Sequence, residues 1–92
     1  MKLRSVLYQE EKMWVAQGLE HDIRAQAPTL EELAVRWAAL IEAEKRECKE
    51  RGVKPFEGIG RAPDSFFKML ESRAGTYTPA NVAHPPEMAL CA

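Results

Sequence analysis

The 92-residue chain carries thirteen basic and fourteen acidic side chains, for a net charge of −1, with 46% hydrophobic and 29% charged residues. These are ordinary values for one small globular domain. They exclude a deep catalytic cleft beside a core of this size and the strongly basic balance of a typical nucleic-acid binder. The longest apolar run, Trp37 to Ile41, is five residues, against the roughly 20 that a membrane helix needs. The N-terminal stretch turns acidic at Glu10-Glu11 before a signal peptide's apolar region is complete, so a cytoplasmic protein is expected. Cys48 and Cys91 form no C-x-x-C pair and are expected as free thiols.

Three extended segments come first. Leu3 to Tyr8 is short, mostly apolar and free of Gly and Pro, as a strand should be. Gln9 to Lys12 is a polar hairpin loop without the favoured Asn-Gly or Asp-Gly pair. Met13 to Gln17 reads as a second strand, with Trp14 and Val15 supplying β-propensity. Gly18 to Asp22 breaks it, and Ile23 to Ala27 alternates apolar and polar residues as a half-buried strand does.

A long helix follows over 30–51. Thr29-Leu30-Glu31-Glu32 is a T-x-x-E capping box, in which Thr29 accepts from the Glu32 amide and the Glu32 carboxylate reaches back. Leu30, Leu33, Ala34, Trp37, Leu40, Ile41 and Cys48 form its apolar stripe. The opposite face offers Glu32–Arg36, Glu42–Arg46 and Glu47–Arg51 as i,i+4 pairs, worth about 0.3–0.5 kcal/mol each. Basic residues crowd the last turns, and Gly52 marks the stop. A Gly- and Pro-rich loop leads to a short helix over 65–73, capped by Asp64, with Phe66, Met69 and Leu70 on one face and Gly75 ending it. From Thr76 onward the composition shifts to Pro, Ala and Asn, which predicts a flexible tail over 76–92 behind a single domain at 1–75.

The expected fold class is α+β, a three-stranded antiparallel sheet packed on one long helix (β-β-β-α), plus a short C-terminal helix. A bare sheet face and open edges favour self-association, so a homo-oligomer is expected.

The run Trp14-Val15-Ala16-Gln17-Gly18-Leu19-Glu20-His21-Asp22, continued by Ala25-Gln26-Ala27-Pro28-Thr29-Leu30-Glu31-Glu32, resembles the signature of HicB-like proteins. These are the antitoxins of HicA–HicB toxin–antitoxin pairs and their stand-alone relatives. The family form is an aromatic strand reading W/Y-V-A, an L-E-x-D or P-x-L-P-G turn, and a short strand into A-x-G-x-T-L-E-E-A and a long helix. The resemblance covers about residues 2–51, and the A-P-x-x-F-x-x-M segment at 62–69 is similar to the downstream stretch of solo members. It implies a degraded, non-catalytic ribonuclease-H-like or double-stranded-RNA-binding-like β-β-β-α fold that binds a small RNA-cleaving toxin and blocks it. Full antitoxins usually add a C-terminal DNA-binding module, which the residues after Gly52 do not resemble, so direct DNA binding is not expected. The chain departs from the family at Ala27 and Pro28, where Gly and a polar residue are preferred, and at Gly18, where Cys or Pro is commoner.

The chemistry-bearing residues are few. Glu20 and Asp22 flank His21; read plainly, they are solvated loop acids and a surface histidine. Their functional reading is an acidic edge that docks on a basic RNA-binding partner surface and speeds association. Metal-dependent nuclease chemistry needs several carboxylates converging on two cations, and His84 is the only other histidine, so neither a catalytic group nor a metal or cofactor is expected. Ser5, Ser65 and Ser72 lack an elbow motif, and G-I-G at 58–60 lacks the third glycine of a dinucleotide loop. Cys48, amid Lys45, Arg46 and Lys49, falls at the end of the buried stripe. Trp37 is core; Trp14 is a partner-binding anchor if it lies on the open sheet face. The expected function is therefore an antitoxin-type module using Trp14, Glu20, His21 and Asp22. The alternatives are an RNA-binding module using Lys45, Arg46, Lys49, Arg51 and Lys54 at the basic helix end, and an orphan homo-oligomer without a toxin.

Overall fold

A computed structural model of the chain describes residues 3–82 and 84–91. The N-terminal segments form a meander. β1 (Ser5–Glu10) runs antiparallel to β2 (Met13–Gly18), with Leu7 opposite Ala16 and Glu10 opposite Met13. β2 runs antiparallel to β3 (Arg24–Ala27), with Trp14 opposite Ala27. The first loop closes to two residues, Glu11 and Lys12, at φ 49° and 67°. Positive φ at both positions belongs to the mirror-image hairpin turns whose twist matches that of the strands.

α1 (Leu30–Arg51) has the bounds that its sequence periodicity predicts. Extended Thr29 accepts from the Glu32 amide at 3.2 Å. The Glu32 carboxylate turns instead to Arg36, 3.9 Å away. Gly52, at φ 71°, ends the helix with its N–H on the Cys48 and Lys49 carbonyls, the left-handed stop that glycine adopts at no steric cost. Leu33, Ala34, Trp37, Ile41 and Cys48 are buried on one stripe.

The sheet corrects the expected three antiparallel strands. It has five, in the order β3-β2-β1-β5-β4, and is mixed. β5 (Met88–Leu90) lies parallel to β1, with Ser5 opposite Met88 and Leu7 opposite Leu90. β4 (Gly75–Thr76) pairs antiparallel to β5 on its outer side. The Ser5 N–H donates to the Glu87 carbonyl at 3.1 Å, and the Cys91 N–H donates to Leu7 at 2.9 Å. Part of the stretch expected as a flexible tail is thus a strand of the sheet. The physical reason lies in β1, whose Val6 and Leu7 point to opposite faces and are both fully buried. A strand apolar on both faces suits the interior of a sheet, and Met88-Ala89-Leu90 supplies the missing neighbour.

Each face has its own core. On one, Leu3, Leu7, Ala16, Ala27 and Met88 meet Leu33, Trp37 and Ile41 of α1, with Phe56 from the following loop. On the other, Val6, Leu19, Ala89 and Cys91 lie under Phe66, Phe67, Met69 and Leu70 of α2 (Asp64–Glu71). Asp64 is the first helical residue rather than the cap, Pro63 occupies the cap position, and Gly75 opens β4 rather than stopping the helix. No helix among the described residues is long and apolar enough to cross a membrane. Both cysteines are free and buried.

The sheet edges offer less to a second copy of the chain than the sequence implied. β3 is one edge strand, and Arg36 of α1 donates to its Gln26 carbonyl at 2.8 Å. A long charged side chain over the outward backbone is a standard guard against strand addition. The other edge, β4, has only two residues.

Candidate functional site

The turn between β2 and β3 holds three of the four residues that the sequence singled out, and the packing there explains why. Its frame is backbone. The Gly18 N–H donates to Ile23 at 2.8 Å, the Leu19 N–H to Arg4 at 2.9 Å and the Ile23 N–H to His21 at 2.8 Å. A Cβ at Gly18 would stand 2.6 Å from the His21 carbonyl oxygen and 3.2 Å from the Leu3 side chain, so this position accepts only glycine without a backbone shift.

Glu20 is clamped by Arg4 twice. The Arg4 backbone N–H donates to one carboxylate oxygen at 2.6 Å and the guanidinium Nε to the other at 2.7 Å. Partial burial pushes the Glu20 carboxyl up, but the Arg4 hydrogen bonds outweigh it and hold its pKa below the ordinary value. Asp22 accepts from Nε2 of Gln17 at 2.8 Å, and that amide also donates to the Gly18 carbonyl at 3.0 Å. Gln17 is 2% exposed, a buried polar group satisfied by the turn it supports.

His21 leans on the loop after α1. Its ring stacks on Phe56 with centroids 5.4 Å apart, and Nδ1 lies 3.0 Å from the Ile59 carbonyl oxygen. A carbonyl only accepts, so Nδ1 carries the proton in this arrangement. The loop is fixed in turn by the Asp22 N–H on Gly60 at 2.7 Å and the Ala62 N–H on Leu19 at 2.9 Å. Turn and loop form one shelf, from which Asp22, Glu57 and Ile59 are exposed.

Trp14 is not part of it. It lies toward the other end of β2, about 13 Å from Gly18 at strand rise, half-buried against the core on the α1 face. The condition for an anchor, a place on the open sheet face, is not met. Sequence reasoning missed Arg4, Gln17, Phe56 and Ile59. Only Phe56 left a signal, a lone aromatic in a Gly- and Pro-rich loop.

The basic end of α1 is a second surface. Lys45, Arg46, Lys49, Arg51 and Lys54 are exposed. Of the three expected i,i+4 pairs, only Glu32–Arg36 closes to within 4.0 Å among the described residues. Glu44 is occupied inward, accepting from the Phe56 N–H at 2.9 Å and the Cys48 thiol at 3.2 Å. Those bonds, the Phe56 amide first, hold its pKa below the ordinary value. Among the described residues, no three His, Cys, Asp or Glu side chains gather as a metal site requires. No family model, no curated protein and no solved structure matches the chain.

Proposed function

We propose that the chain is a non-catalytic interaction module of the HicB-like antitoxin type, which binds a small basic RNA-cleaving toxin and occludes its RNA-binding surface. The observation that carries this reading is the rigid acidic shelf. Glu20, His21 and Asp22 are each held by a named partner before any ligand arrives, and a preordered surface loses little entropy on docking. Asp22 is exposed on that shelf, positioned to steer a basic surface. The β-β-β-α run from Ser5 to Arg51, with an acidic turn before its third strand, follows the order of the resemblance.

The test is isolation of the native complex, followed by an RNA-cleavage assay on the captured protein. A small basic ribonuclease that this chain inhibits at one-to-one stoichiometry supports the reading. Asp22→Lys then weakens inhibition about tenfold or more, the scale of a lost close charge pair. Recovery of this chain alone, or a partner that cleaves no RNA, overturns it.

A second reading rests on the basic end of α1, where Lys45, Arg46 and Lys49 have no carboxylate within 4.0 Å among the described residues. An RNA-binding module would use these side chains. It predicts affinity for single-stranded RNA that falls with salt by about 0.7 log units per decade for each phosphate contacted, and loss of binding in Lys45→Glu/Lys49→Glu.

A further inference from the structure

We infer that α2 is a lid, a segment that leaves the sheet between two fixed backbone anchors, loosening as it goes, and uncovers an apolar floor. The inference stands apart from the antitoxin reading and does not rest on it. The anchors are explicit. Just before α2, the Ala62 N–H donates to Leu19 at 2.9 Å; just after it, the Ala74 N–H donates to Leu90 at 2.8 Å. Between them, among the described residues, the backbone hydrogen bonds are all local. Phe66 bonds to Pro63, Ser72 to Met69 and Arg73 to Leu70. The helix itself is weak. It has eight residues, no side-chain cap bond at Pro63 and no fully buried residue, and helices this short are not stable alone in water.

What holds α2 down is side chains. Phe66 stacks on Tyr8 at 6.1 Å, and Arg61 lies 4.2 Å over the Phe67 ring. The Cys91 thiol donates to the Met69 carbonyl at 3.5 Å. Beneath lie Val6, Leu19, Ala89 and Cys91, none more than 6% exposed. That floor belongs to strands and a turn with their own backbone pairing, so it persists when the lid leaves. Elements with few buried contacts and tight flanking anchors open locally, below the cost of global unfolding.

Cys91 reports both motions, its thiol the lid and its amide, bonded to Leu7, the strand. The experiment measures thiol labelling of Cys91 by mass spectrometry, beside exchange of the Cys91 amide by NMR, on the full chain. The lid predicts a thiol that opens at least tenfold more often than the amide. Pro63→Ser supplies the missing cap and slows thiol labelling about fivefold. Ile41→Val, in the core under α1, speeds amide exchange and leaves thiol labelling unchanged. Equal opening of thiol and amide, or acceleration of both by Ile41→Val, overturns the lid. Labelling at the rate of a free thiol also overturns it, because α2 would then not cover Cys91.

Discussion

At the scale of single residues, the molecule spends its charged side chains on local geometry. Glu20 is the clearest case. Its pKa is lowered by Arg4 despite partial burial, so the native state binds protons less readily than the unfolded chain. The resulting stability is present above the unfolded pKa and is lost as pH falls from about 5 through the lowered pKa. In Glu20→Gln this part of the acid transition disappears, and chemical denaturation at pH 7 and pH 4 shows a smaller difference in stability than in the parent. The hairpin residues carry the opposite lesson. Glu11 and Lys12 both sit at positive φ, which costs an L-residue about 1–2 kcal/mol. Replacing them with Asn-Gly stabilises the fold by about 1 kcal/mol and raises Tm by about 4–8 °C, measured by thermal denaturation. The acidic turn was visible in the sequence, but its partners were not. Arg4 and Gln17 reach Glu20 and Asp22 only through the β1–β2–β3 packing, and no local pattern announces that.

At the scale of elements, legibility followed periodicity. α1 has an apolar stripe, a cap and a glycine stop within one stretch of sequence, and its bounds were readable from those alone. β5 has none of these. Three residues, Met88-Ala89-Leu90, are too few to alternate, and prolines at 79, 85 and 86 give the stretch before them the composition of a loop. Its partner is parallel and lies at the far end of the chain, so no turn signal joins them. The structure pairs this strand on both sides, with β1 and with β4. Ala89 is 3% exposed, between β1 and α2. Ala89→Asp therefore buries an unpaired carboxylate and lowers stability by about 3 kcal/mol or more, read by urea denaturation. A substitution in a flexible tail would leave the midpoint unchanged.

At the scale of the whole molecule, a radius of gyration of 12.9 Å matches the roughly 12 Å of a compact chain of this length. Two helices cover opposite faces of one sheet, but unequally. α1 seals its face with fully buried Leu33 and Trp37, whereas α2 contributes no fully buried residue. The sequence showed both helices but not this inequality. It depends on which strand lies at the centre, and that was decided by β5. The parallel pairing of Ser5 with Met88 also has a consequence for the chain as it is made. β1 leaves the ribosome before β5 does and acquires its second neighbour only after residue 88 has followed. Until then it carries an unpaired row of amides beside Val6 and Leu7. Such long-range pairing slows folding and leaves a strand open to wrong partners meanwhile. The finished protein has guarded edges; the growing one is vulnerable at the strand that later becomes its centre.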